Sequence, residues 1–141
     1  PPSIGILIEN PSFVAEYTGL KNLEMLACIK NKIEIEDIRH AMEQVGLDPG
    51  DKRTYKKYSL GMKQKLGIAA AFMEKPDIII LDEPINALDE AGAKQVHKIL
   101  EEQKKRGALI IIACHDKEEL EMLSDEIIEI YEGRIVAGEK E

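Results

Sequence analysis

The sequence predicts an α/β fold, a mostly parallel sheet carrying a helical insertion, on three observations. Ile78-Ile79-Ile80-Leu81 is an unbroken apolar run closed by Asp82-Glu83-Pro84, and short runs of this kind read as strands buried on both faces of a parallel sheet. A second such run, Leu109–Cys114, follows a long stretch of helical periodicity, and strand–helix–strand order implies a right-handed crossover between parallel strands. Between the first apolar run near the start and Pro76, residues 12–75 carry only helical patterns and turns. The chain is therefore divided into a core strand with the turn after it (1–11), a helical block (12–75) and the carboxyl-terminal part of an α/β core (76–141).

In chain order, Ile4–Ile8 is the first strand, broken by Glu9-Asn10-Pro11-Ser12. Phe13, Val14 and Tyr17 fall in a loop. Thr18 suits a helix N-cap, and Leu20, Leu23, Leu26 and Ala27 then mark one helical face. Ile35, Ile38, Ala41, Met42 and Val45 mark a second helix closed by Gly46. Leu47–Lys57 is polar and turn-rich, and its basic cluster Lys52, Arg53, Lys56 and Lys57 reads as a solvated loop. A third helix runs from about Met62 to Lys75, with Met62, Leu66, Ala69 and Met73 on one side and Pro76 as its stop. After the Ile78–Leu81 strand comes a helix from Asp89 to Arg106 with Val96, Ile99 and Leu100 inward, ended by Gly107. The strand Leu109–Cys114, a short helix Asp116–Leu123 and a hairpin of Ile127–Tyr131 with Arg134–Ala137 complete the chain.

Composition narrows the function classes. The 141 residues suffice for one domain with a core, built from Ile, Leu, Val, Ala and Met because there is no Trp. A net charge of −8 argues against a nucleic-acid surface. Cys28 and Cys114 lie far apart in no C-x-x-C pair, and are expected to be reduced, buried cysteines of a cytosolic protein. No apolar run approaches the ~20 residues that span a bilayer, so no direct membrane insertion is expected and any membrane role runs through a partner. The start, Pro1-Pro2-Ser3, has neither the charged nor the apolar region of a signal peptide. It also lacks Met, and the chain is expected to be a piece of a longer protein.

Chemistry concentrates at strand ends. Asp82 and Glu83 stand at the carboxyl end of a buried strand, where open α/β sheets place ligands; the plainer alternative is two solvated acids. Adjacent residues on a strand point to opposite sides, so one acid can hold a metal while the other faces a water, an arrangement suited to phosphoryl transfer. Facing carboxylates, as glycoside hydrolysis needs, fit poorly. Ser59 and Gly61 precede the third helix, whose free N–H groups can bind a phosphate; an ordinary capped helix explains the same residues. His115 ends a strand and can reach the same crevice or serve only the structure. His40 and His97 lie in helices and read as surface or packing residues.

Together these segments resemble the ATP-binding-cassette (ABC) nucleotide-binding domain, over nearly the whole chain. Tyr58-Ser59-Leu60-Gly61-Met62-Lys63-Gln64-Lys65 is similar to the family signature, usually LSGGQ followed by polar and basic residues. Ile78–Asp82 resembles the Walker B strand, with Glu83 at the catalytic glutamate; Asn86-Ala87-Leu88-Asp89 resembles the D-loop; His115 falls on the switch histidine. Gly5–Pro11 resembles the Q-loop region, with Glu9 in place of the usual Gln. Leu60 and Met62 depart from the signature's Gly and Gln. The S-L-G-M-K-Q signature and the I-E-N-P…T-G-x-x-N-L region are similar to bacitracin-type and related antibiotic or peptide exporters of bacteria.

The resemblance implies a P-loop NTPase fold: a partial ABC ATPase core plus a helical signature subdomain. It implies ATP and Mg²⁺ as cofactors, with Glu83 and His115 catalytic, Ser59, Gly61 and Asp89 nucleotide-binding, and Asp82 and Glu9 holding the metal. It further implies a transmembrane permease subunit and a second nucleotide-binding domain (homodimer or heterodimer) as partners, and a cytoplasmic place, peripheral on the inner face of the cell membrane. Phe13, Val14 and Tyr17 are candidate permease contacts or core residues. The phosphate-cradling loop G-x-x-x-x-G-K-S/T does not occur in these residues and is expected before Pro1. The chain by itself is therefore expected to be inactive. A soluble ABC ATPase of translation or repair, and a non-catalytic docking or dimerisation module, are the alternatives.

Overall fold

The computed structural model of the chain describes residues 2–9 and 11–140; the Asn10 step of the predicted break after the first strand lies outside them. Strands β1 (Ile4–Leu7), β2 (Ile78–Asp82) and β3 (Leu109–Ala113) form a parallel sheet in the order β1-β2-β3. The register pairs Ile4 with Ile78 and Ile78 with Leu109, so the three carboxyl ends lie side by side. Strands β4 (Glu126–Tyr131) and β5 (Arg134–Lys140) make a separate antiparallel hairpin.

Between β1 and β2 lie helices α1 (Gly19–Lys30), α2 (Ile35–Gln44) and α3 (Leu60–Phe72). Each starts where local side-chain chemistry satisfies its free N–H groups. Thr18 accepts from the Lys21 N–H, Glu34 forms a capping box with Asp37, and Ser59 accepts from the Met62 N–H. Leu23, Ala27, Ile38, Ala41, Met42, Val45 and Leu66 are buried in one continuous core. Buried Asn22 organises the loop before α1: its side chain accepts from the Val14 N–H at 2.8 Å and donates to the carbonyls of Val14 and Thr18, both at 3.1 Å. Helix α3 also lies against β1 and β2, and the contact is close. A Cβ added to Gly5 would stand 1.7 Å from the Ala71 carbonyl oxygen, so only glycine admits this approach. Helix α4 (Glu90–Lys105) joins β2 to β3 and buries Val96, Ile99 and Leu100; α5 (Lys117–Leu123) joins β3 to the hairpin.

Several expectations are corrected. The strands are not buried on both faces. On β2, Ile79 and Leu81 are buried while Ile78 and Ile80 are half-buried. On β3, Leu109 and Ile111 are 57% and 48% exposed, and on β1 Ile4 and Ile6 are exposed as well. The helices cover one face of the sheet, and among the described residues the other face stays open. Cys28 is exposed rather than buried, on the outer side of α1, and Cys114 is half-buried. Leu26 is likewise exposed, at 37%. Helix α3 ends at Phe72 rather than Lys75 because the chain turns there, with Lys75 at φ 50°.

The stretch 47–57 is not simply a solvated loop. Tyr55–Lys57 forms a 3-10 turn, and Tyr55 and Tyr58 are buried. The Tyr55 ring meets Phe13 edge-on at 5.3 Å between centroids, and the Lys63 ammonium sits 5.1 Å from the Tyr55 centroid. Within the cluster, Arg53 grips the Asp51 carboxylate, which holds that carboxyl below its ordinary range.

Candidate functional site

The parallel register delivers Asp82 to the end of β2, opposite Ala113 of β3. At the next residue the strand geometry stops. Glu83 takes a left-handed backbone, φ 48°, while its N–H still donates to the Ala113 carbonyl at 2.8 Å. A non-glycine residue in this region is uncommon and strained by roughly 1 kcal/mol or more. The expected simple alternation of the Asp82 and Glu83 side chains is thus replaced by a turn, after which buried Pro84 leads into 85–88. The Asn86 N–H closes that turn on the Glu83 carbonyl at 3.1 Å.

The turn brings Glu83 to His115. The His115 backbone N–H donates to Glu83 Oε1 at 3.2 Å, and its Nε2 lies 3.5 Å from the same oxygen. The imidazole is fully exposed, whereas the Glu83 side chain is 32% exposed. The acid is therefore held at the rim by a histidine facing solvent. Between β3 and His115, burial, reinforced by the Glu119 and Glu83 carboxylates, pushes the Cys114 thiol up to about 11.

The other predicted residues take these places. Ser59 is exposed, with its hydroxyl spent on the α3 cap. Gly61 lies in the first turn of α3, where an added Cβ would come within 3.0 Å of the Ala87 carbonyl oxygen; the signature-like helix start therefore abuts the loop that follows Glu83. Asp89 is exposed and caps α4, its Oδ1 accepting from the Gly92 N–H at 2.8 Å. Glu9 is exposed, φ 57°, two residues past the end of β1, and so belongs to the same sheet end as Asp82. The structure brings Asp82, Glu83 and His115 together; Gly61 borders the loop after Glu83 from the helical side, Asp89 ends that loop at the start of α4, and Ser59 caps α3.

One member was missed. The Gln64 side-chain amide donates to the carbonyls of Glu83 and Pro84, each at 3.1 Å. Its signal was present in the spacing: three residues after Gly61, it shares that residue's helical face.

The chain is similar in sequence and in fold to known proteins. The family model described as "ABC transporter" matches residues 1–86. The chain is 46% identical over 140 residues to YybJ of Bacillus subtilis (strain 168), an uncharacterized ABC transporter ATP-binding protein, covering 99% of this chain and 64% of YybJ. It is 40% identical over 134 residues to the bacitracin transport ATP-binding protein BcrA of Enterococcus faecalis, covering 94% of this chain and 44% of BcrA. Among solved structures, the ATP-binding subunit of an ABC transporter superposes with a TM-score of 0.87 at 27% identity, over 96% of this chain and 58% of that subunit. The chain thus spans between about two fifths and two thirds of these relatives.

Proposed function

Because the chain belongs to the ABC transporter family of ATP-binding proteins, we propose that the whole protein is the ATP-hydrolysing subunit of a membrane transporter. The observation that carries this is the Glu83–His115 pair at the end of the Asp82 strand. A carboxylate in this position can orient and polarise an attacking water, and the exposed imidazole beside it can meet a terminal phosphate. Ser59, Gly61 and Asp89 would face the nucleotide of a second domain packed head to tail.

The donor set fits Mg²⁺ delivered with ATP. No three His, Cys, Asp or Glu residues cluster as a metal cage among the described residues, and Mg²⁺ prefers one or two carboxylates completed by phosphates and water. Asp82, with Glu9 from the neighbouring strand end, would hold the ion, which neutralises phosphate charge when bound.

On this reading residues 12–75 form the signature subdomain, and 1–11 with 76–141 contribute to the ATPase core. Similarity to a bacitracin transport protein supports a bacterial exporter of antibiotic or peptide type. The partners would be a transmembrane permease and a second nucleotide-binding domain. No helix among the described residues is long and apolar enough to cross a membrane, which suits a subunit held peripherally on the inner membrane face. Glu83→Gln in the whole protein is expected to lower MgATP turnover by on the order of 100-fold or more. Phosphate release at an unchanged rate in that variant would remove Glu83 from the role.

A further inference from the structure

We infer that Gln64 is a positioning residue that fixes the turn carrying Glu83 to the helix carrying Ser59 and Gly61; this rests on the ATPase reading above. A primary amide nitrogen has two hydrogens, and Gln64 directs its Nε2 at two successive carbonyls, those of Glu83 and Pro84, at 3.1 Å each. These carbonyls have left the sheet ladder, because the chain turns through the left-handed Glu83. Strained backbone persists only where its surroundings over-determine it. Here the Glu83 peptide groups are held by the Ala113 carbonyl, by the Asn86 N–H and by Gln64. Of these three, only Gln64 comes from another layer of the molecule.

A second contact acts at the same junction. The absent side chain of Gly61 lets the Ala87 carbonyl approach the first turn of α3. Helix α3 and the 83–88 loop therefore touch at both ends of the loop and move as one body. In the proposed assembly α3 faces one nucleotide while Glu83 acts at the other. A shift of α3 is then transmitted to the hydrolytic carboxylate through the Gln64 amide.

Two substitutions and two readouts test this. Gln64→Met keeps the length and removes both donors; Gln64→Lys returns a donor of similar reach. In the whole protein, Gln64→Met is expected to lower kcat for MgATP about 10-fold or more with KM little changed, as loss of aim rather than of binding predicts. Gln64→Lys should recover most of it. In the whole protein too, Gln64→Met should speed hydrogen exchange at the Asn86 amide, on the order of 10-fold, with the Ala69 and Val96 amides unchanged. Wild-type kcat in Gln64→Met would overturn the positioning role, as would a kcat loss that Gln64→Lys fails to recover. A wild-type protein that releases no phosphate from MgATP would instead sink the ATPase reading. The Asn86 exchange still decides whether the tie exists, since unchanged exchange overturns it.

Discussion

Cys114 shows how one residue's surroundings set its chemistry. It sits between β3 and the site histidine, its sulfur within 3.3 Å of the Asp116 N–H. That hydrogen bond favours the thiolate, but burial and the nearby Glu119 and Glu83 carboxylates outweigh it and raise the thiol to about 11. The direction is that of an acid kept protonated. At pH 8 only about one thiol in a thousand is ionised, from the three-unit gap, and the thiolate is the form that reacts. Alkylation of Cys114 by iodoacetamide, followed by mass spectrometry, should be slow at pH 8. Its rate should rise roughly tenfold per pH unit up to about 11. Rapid labelling at pH 8 would contradict the buried, acid-flanked environment.

At the scale of elements, what the sequence revealed was local and what it hid was tertiary. Thr18 and Ser59 announce helix starts because a cap needs only a side chain and the next turn, and both cap as expected; Asp116, read as the first residue of its helix, instead caps it from outside. The parallel pairing of β1, β2 and β3 also followed from apolar runs and strand–helix–strand order. Asp82, Glu83 and His115 could be grouped from strand ends alone. The open face of β3 could not be foreseen, since Leu109 and Ile111 look the same in sequence whether or not something packs on them. Nor could the partners of Gln64: the spacing sets it on the Gly61 face of the helix, but its tie to carbonyls 19 and 20 positions away runs through a turn geometry no spacing encodes. Tyr55 was hidden by the basic residues around it.

The α3–β1 contact gives this scale its test. Replacing Gly5 by Ala puts a methyl 1.7 Å from the Ala71 carbonyl oxygen and 2.9 Å from Pro76 Cγ. Backbone cannot yield as a flexible side chain does. Gly5→Ala is expected to destabilise by about 3 kcal/mol, read as a lower urea midpoint with an unchanged slope. An unaltered midpoint would mean that the helix and strand are not clamped there.

For the whole molecule, the site is lopsided. It offers a helix start, two strand-end acids and a histidine, but its residues include no G-x-x-x-x-G-K-S/T loop to wrap phosphates. Calorimetric titration of the 141-residue chain with MgATP is expected to show no micromolar binding, and a micromolar Kd would mean that these residues grip nucleotide by themselves. The same layout has a bearing on how the chain reaches its fold. Ser3 and Asp77, which lock the first strand pair, are 74 positions apart. Closing so long a loop from a flexible chain costs about 4 kcal/mol in entropy. Helices α1, α2 and α3 make their mutual contacts over much shorter separations and can form first. Once they dock, Gly5 meets the Ala71 carbonyl already in place on α3, and the ends of the loop are brought close before the strands pair. The helical block thus acts during folding as a splint, and a substitution that loosens Leu23, Met42 or Leu66 is felt first in the rate at which the sheet assembles.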